Sequence, residues 1–561
     1  MTLLSNEQKK RLHKLYSEQR FSELELEIEM ISDPKTRSAF LSNLLGVSKL
    51  RKKDGDKDWI SARDLFLDAH NKDKNYIDAL CNYAHVCVKL RDYDGALNKL
   101  IEERKKKYNP KINEALARIY FFEGEIDKVL NIFKETADNN DLNRVTASHY
   151  LSSLNYSPNF SQKDYLKYCT KIESNLAVAE DQLAKLVDLD LSDEIKIGFV
   201  SPDFKEHSVY YFLKGTIDAL RRKKFRVLLF NLRNPDELDN ISQNMKEDCD
   251  EWVNIHNLND LDAANLIRKK RINILIDITG HFSRNRISIF KFKPSPIQIS
   301  WMGYVNSTGV KEIDYIISDK NLIKKGEENL YSEEVLKLDT IWNCHKGFDE
   351  KIEPSSLPYL KNGYITFGCF NNTVKISDRC INVWSKILNE IEGAKLIIKA
   401  VSKDAEIAQN KILDKFSKNN VDIKRINFEK SKKERIDHLK MYREIDVSLD
   451  TFPYPGVTTS FESIWMGVPV LTKKGEDFVS RCGESINLNL GLKDFIAENE
   501  DDYVAKAVLL NSKKKDLSKI RNSLRQNAIN SPLFDTDLFG KEFSSIIKNV
   551  WDKYLTRKDS K

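Results

Sequence analysis

From Glu194 onward the chain is written in short apolar runs separated by longer amphipathic stretches, and no other feature limits its possible folds as tightly. The runs are Ile195–Val200, Phe225–Leu232, Ile272–Ile278, Ile297–Met302 and Tyr315–Ser318. A second set follows: Tyr364–Phe370, Lys395–Val401, Arg425–Phe428, Asp446–Leu449 and Val468–Leu471. Each run has the length of a strand, and the gaps hold helical patterns such as Tyr210–Arg221. Strands alternating with helices form parallel sheets covered on both faces. Two such sets predict two Rossmann-like lobes. Between them Asp339–Leu360, with Pro354, Ser355, Ser356 and Pro358, reads as a linker and hinge. Ligands on open parallel sheets bind at the carboxyl ends of strands, so the cleft between lobes is the expected site.

Upstream the period is helical and the sequence repeats itself at a spacing near 34. Ala62, Ala96 and Val129 fall at equivalent places, with Ala84 and Ala117 twelve residues before the last two and Phe66, Leu100 and Phe133 four residues after each. Small residues let paired helices approach, and the larger ones fill the groove between units. This is tetratricopeptide-like spacing, with an irregular first unit carrying extra residues in Arg51–Trp59. Helical text continues through Leu176. The organisation expected is helical repeats over residues 1–190, a first lobe over 191–345, and a second lobe over 346–561.

A chain of 561 residues with 41% hydrophobic and 31% charged residues interspersed is a folded, multi-domain protein. A net charge of +6 is too dilute to announce nucleic acid. The eight cysteines are scattered without C-x-x-C spacing, which argues against disulfides and zinc. Met1–Arg20 lacks an apolar signal region and nowhere do eighteen apolar residues run together, so no membrane span and a cytoplasmic location are expected.

Neither lobe contains G-x-G-x-x-G or a P-loop motif. The best phosphate-binding candidate is Asp450–Glu462, where a strand ends, a Pro/Gly turn follows, and a hydroxyl-rich helix begins with Thr458 and Thr459. Free amides and the dipole at such a helix start favour an anion. The same text has a second reading, since Thr459 and Glu462 have the spacing of a capping box, which needs no ligand. Lys375, five residues beyond Phe370, is placed to neutralise a departing diphosphate, or else is a solvated loop lysine. His438 precedes the strand Asp446–Leu449 and is either a base contact or a surface residue. His207 follows the first strand of the first lobe, where it faces a transferred sugar or simply caps a helix.

Together these stretches closely resemble the O-linked N-acetylglucosamine transferase and Spindly family, tetratricopeptide repeats joined to a GT-B catalytic region. The likeness lies in Ile197–Phe204 with His207, Thr279-Gly280-His281 with Arg286, Pro294–Gln298, and Trp301–Tyr304. It continues through Phe370-Asn371-Asn372 with Lys375, Asp446–Glu462, Trp465–Pro469, and Ser531–Phe534 leading to Trp551 and Tyr554, a stretch that looks like the family's last helix and so implies one that packs back on the catalytic region. The resemblance implies catalytic roles for His207, at the reacting sugar and acceptor, and Lys375, on the diphosphate. It implies donor binding by Asn372, by His438 against the nucleoside base, by Thr458 and Thr459 on phosphate, and by Glu462 on the ribose. It further implies inversion, no metal and no cofactor, with a nucleotide sugar as substrate and a protein acceptor along the repeat groove. Val457 and Glu462 depart from the His and Asp of the GlcNAc enzymes toward the Spindly branch. Spindly enzymes use GDP-fucose, the GlcNAc branch UDP-GlcNAc, and some bacterial relatives UDP-glucose, so the expected sugar is GlcNAc or fucose.

Overall fold

The computed structural model describes residues 4–51, 56–173, 194–400 and 406–559, and the chain divides into two compact units, Met1–Thr146 and Ala147–Lys561. The expected boundary at 190, the helical text between Glu173 and Leu176, part of the irregular first repeat, and Val401 lie outside the described residues.

The first unit is a run of antiparallel helices: Asn6–Ser17, Phe21–Ile31, Ala39–Arg51, Asp56–Lys72, Ile77–Leu90, Tyr93–Lys106, Pro110–Phe122 and Ile126–Asp138. Local signals set their ends. Ser5 and Gln8 form a capping box, Asn109 caps a helix that has Pro110 in its first turn, and Arg91 and Gly124 take left-handed backbone just past helix ends. The repeated small residues Ala62, Ala84, Ala96 and Ala117 are buried, as are Phe66, Leu100 and Phe133. The spacing seen in the sequence is therefore the spacing of helix contacts.

The second unit holds two parallel sheets. In the first, β1 (Lys196–Ser201), β2 (Arg226–Asn231), β3 (Glu251–Asn254), β4 (Ile274–Asp277), β5 (Ile297–Ser300), β6 (Tyr315–Asp319) and β7 (Glu334–Leu338) are ordered β3-β2-β1-β4-β5-β6-β7. In the second, β8 (Thr366–Cys369), β9 (Lys395–Ala400), β10 (Ile426–Lys430), β11 (Val447–Leu449), β12 (Val470–Lys473) and β13 (Ile496–Ala497) are ordered β10-β9-β8-β11-β12-β13. Every strand pair is parallel, so each lobe is doubly wound, with the order reversing between β1 and β4 and between β8 and β11. The ten apolar runs correspond to ten of these strands. The other three, β3, β7 and β13, are sheet edges: β7 carries polar residues at both exposed and half-buried positions, and β13 is two residues long.

The segment 339–358 is irregular, as expected of a linker, yet it is packed: Ile341, Trp342, Cys344 and His345 are buried. His345 N donates to Leu533 O at 3.0 Å and Lys346 N to Tyr211 O at 2.9 Å. The last helix, Thr536–Asp559, lies on the first lobe. Its Gly540 faces Ala219, and a Cβ at 540 would stand 2.1 Å from the alanine methyl, so only glycine permits this approach. Phe539, Phe543 and Ile547 enter the core around β1, β4 and β5, with Phe543 at 4.6 Å from Trp301.

Candidate functional site

Loops that leave β8 and β11, the two strands at the reversal of the second sheet, meet at a buried carboxylate. Asp450 Oδ1 accepts from Gly456 N at 2.7 Å, Thr451 N at 3.0 Å and Asn371 Nδ2 at 3.1 Å, and Oδ2 accepts from Thr472 Oγ1 at 2.8 Å. Four donors on one acidic group lock the turn 450–456 onto the strand ends. Asn371 also donates to Thr451 Oγ1 at 2.8 Å and accepts from the Thr459 hydroxyl. A Cβ on Gly456 would fall 2.5 Å from Thr459 Oγ1 and 2.6 Å from Asn371 Oδ1. The absence of a side chain there keeps the start of the next helix open.

That helix is Thr458–Trp465, preceded by Val457, whose side chain caps nothing. Thr459 and Glu462 both lie inside it, so the capping-box reading is not realised and the first-turn amides have no side-chain cap. Lys375 reaches the same turn: its Nζ donates to Pro455 O at 2.8 Å and stands 3.8 Å from the centroid of the Tyr454 ring. Burial pushes this ammonium down to about 8, against the opposing pull of Asp450. It is not a solvated loop lysine. An ammonium and an uncapped helix start are thus brought to the same turn, an arrangement that favours an anion.

One turn further along the helix, Glu462 Oε2 accepts from His438 Nε2 at 2.9 Å, and the Tyr442 hydroxyl lies 3.2 Å from the same oxygen and 3.1 Å from Thr459 O. Burial alone would raise the Glu462 carboxyl, but the hydrogen bond from His438 and the charges of His438, Arg435 and Lys399 prevail and hold it at about 2. His438 is therefore no surface histidine, and its ring position is fixed by the carboxylate. Arg435, which sequence reasoning missed, stacks 3.7 Å over the Tyr211 ring of the first lobe and comes within 3.7 Å of Glu462 and 3.3 Å of Glu350. In sequence it looks like one more charge in Ser431-Lys432-Lys433-Glu434-Arg435. Lys399, at the end of β9, is a second missed cation; burial lowers it, and Glu462 opposes the fall.

His207 stands at the start of helix Ser208–Arg222, and its Nδ1 accepts from Val209 N at 3.4 Å, with Asp203 Oδ2 at 4.0 Å. Burial lowers the imidazole below its ordinary value, with Asp203 opposing, so it is neutral at pH 7. The helix it begins carries Phe212, 5.1 Å from Phe461 of the helix that holds Thr459 and Glu462, and through this pair the two lobes are in register. Asn372 is exposed and caps the turn Thr373–Lys375 by accepting from Val374 N, while its neighbour Asn371 points into the site. His281 is buried: Nε2 donates to Thr308 O at 2.7 Å and Nδ1 accepts from the Ser148 hydroxyl at 3.0 Å, so it braces a loop away from solvent.

The profile of glycosyl transferase family 41 matches residues 122–342 and 355–543, most of the chain. The chain belongs to glycosyl transferase family 41. Among curated family 41 relatives it is 31% identical over 363 residues to the Petunia hybrida protein named probable UDP-N-acetylglucosamine–peptide N-acetylglucosaminyltransferase SPINDLY. It is 32% identical over 362 residues to the Arabidopsis thaliana protein of the same name, and 26% identical over 378 residues to the Arabidopsis thaliana protein named SEC. Each match covers 64% of this chain and 38% to 40% of the relative, so the chain spans about two fifths of their length. A solved O-GlcNAc transferase mutant from Thermobaculum terrenum superposes with a TM-score of 0.83 at 23% identity, over 93% of this chain and all of that one. That likeness is one of fold: helical repeats followed by two doubly wound lobes. Among the described residues no helix is long and apolar enough to cross a membrane.

Proposed function

We propose that this family 41 chain moves a sugar from a nucleoside diphosphate to a Ser or Thr hydroxyl of a protein, with inversion and without a metal or other cofactor. The observation that carries the reading is the convergence of Lys375 and the uncapped start of helix Thr458–Trp465 on one turn, with the Glu462–His438 pair one turn deeper. Lys375 and the amides of Thr458 and Thr459 hold the diphosphate, and Glu462 and His438 hold the ribose and base. The acceptor oxygen attacks the anomeric carbon from the face opposite the phosphate, the carbon–oxygen bond to phosphate breaks, the electron pair leaves with the diphosphate, and the hydroxyl proton passes to solvent. Charge grows on that leaving group, where Lys375 and the helix start meet it. A single displacement of this kind inverts the carbon.

His207 serves the acceptor side. Its Nδ1 is occupied by the Val209 amide, so the neutral ring carries its proton on Nε2 and offers an N–H. This geometry favours orienting the sugar or acceptor over abstracting the hydroxyl proton. Asn372, exposed beside Lys375, contributes at the rim of the donor site. The helical repeats bind the protein acceptor along their groove, and the enzyme works in the cytoplasm. The donor is UDP-GlcNAc or GDP-fucose. The names of the relatives speak for the first, Val457 and Glu462 for the second.

Incubating the protein with UDP-GlcNAc, GDP-fucose and UDP-glucose separately, each with acceptor protein, and measuring the nucleotide released tests this. Release of UDP or GDP, with label appearing on Ser or Thr, supports it. Absence of release together with absence of UDP and GDP binding overturns it, in favour of a repeat scaffold with a non-catalytic transferase-like region.

A further inference from the structure

Lys375 sits on an aromatic stack. Its ammonium lies 3.8 Å from the centroid of the Tyr454 ring, and Tyr454 in turn packs 4.9 Å from Tyr156, tilted by 50°, in the stretch between helices Arg144–Leu154 and Gln162–Glu173. Tyr454 is only 6% exposed and Tyr156 is half-buried, and burial raises each phenol. The other titratable groups that face Lys375 are Asp450 from the loop after β11, Cys369 from β8 and Cys482 from helix Cys482–Leu490. Asp450 already accepts four hydrogen bonds, and among the described residues no ion pair joins it to Lys375. One carbonyl, Pro455 O, is the ammonium's hydrogen-bond partner. A cation taken out of water with a single neutral acceptor loses its proton readily unless something else stabilises the charge, and the face of an aromatic ring does so.

We propose that Tyr454, seated on Tyr156, is a positioning residue that keeps Lys375 ionised and aimed at the departing diphosphate. The inference rests on the proposed function only for the identity of the anion. It assigns the work to the ring and not to the hydroxyl, because among the described residues the Tyr454 hydroxyl makes no hydrogen bond. Phenylalanine therefore preserves the device and leucine abolishes it, although leucine also fills a buried apolar space.

Two measurements separate this inference from the reading it builds on. The first needs no nucleotide: competitive acetylation of Lys375 across pH 6 to 10, read by mass spectrometry, reports the protonation of that lysine directly. Wild type and Tyr454→Phe should share an inflection near 8, and Tyr454→Leu should shift it down by about half a unit to one unit. The second is calorimetric titration with UDP and with GDP over the same range. Affinity should fall as Lys375 loses its proton, and the fall should begin at lower pH in Tyr454→Leu, with a loss of about twofold to threefold at pH 7.5 that Tyr454→Phe does not show. If the acetylation inflection is the same in all three proteins, or if phenylalanine shifts it as far as leucine, the inference is wrong. If acetylation behaves as expected and neither nucleotide binds the wild type, the proposed function fails and the stack stands. Should Tyr454→Leu lose its native circular dichroism, Tyr156→Leu, which removes the seat without altering the loop, should give a smaller shift of the same sign; no shift in that variant counts against the inference.

Discussion

His438 donates to Glu462 from 2.9 Å in a place where neither side chain is open to solvent on its own account. The pair fixes the acidity of the carboxylate, and that acidity can be read as stability. Glu462 is held at about 2, below the ordinary 4.5, so it favours the folded state fully above pH 4.5 and loses that contribution as pH falls toward 2. Glu462→Gln abolishes the dependence. Thermal melts of wild type and Glu462→Gln should therefore be furthest apart at neutral pH and approach each other below pH 4.5; a constant gap down to pH 3 would contradict the assignment.

Replacing Lys375 by alanine should slow transfer by about a hundredfold or more, as loss of one preorganised charge stabiliser does. Among the described residues its polar partner is a backbone carbonyl, so melting temperature should change little. Turnover measured with the donor identified by nucleotide release decides this, and an unchanged rate removes Lys375 from the chemistry.

His207→Ala should separate the two lobes' roles. The residues proposed to hold the diphosphate and nucleoside lie in the second lobe, so nucleotide affinity by calorimetry should stay within about twofold while transfer drops by about tenfold to a hundredfold. In the wild type the acid limb of kcat/KM should lie below pH 6.5, since burial lowers the imidazole and its neutral form must persist through that range. A limb above pH 7 would refute the environment described.

Asp450→Ala leaves Gly456 N, Thr451 N, the Asn371 amide and the Thr472 hydroxyl without their common acceptor. Stability in urea should fall by about 2 kcal/mol or more, and nucleotide affinity should fall with it because the turn before Thr458 is no longer held. Normal affinity in a destabilised protein would mean that the turn keeps its shape without the carboxylate.

Much of this architecture is legible in the residues, and the gaps have physical reasons. Interior strands such as Ile274–Asp277 are apolar on both faces and announce themselves, whereas edge strands such as Glu334–Leu338 are half solvated and read as loop. Asn371 and Asn372 are identical neighbours in sequence; only the direction of a short turn sends one into the site and leaves the other outside. Thr459 and Glu462 have the spacing of a cap, but a helix that starts two residues earlier than such a cap requires makes them interior positions. Arg435 becomes distinctive through Tyr211, more than two hundred residues away, and no local pattern records that contact.

The placement of the last helix bears on how the molecule is made. Phe539, Phe543 and Ile547 complete the hydrophobic interior of a sheet whose first strand begins at Lys196. During synthesis the interior of the first lobe thus stays partly uncovered until the strands of the second lobe have all been made.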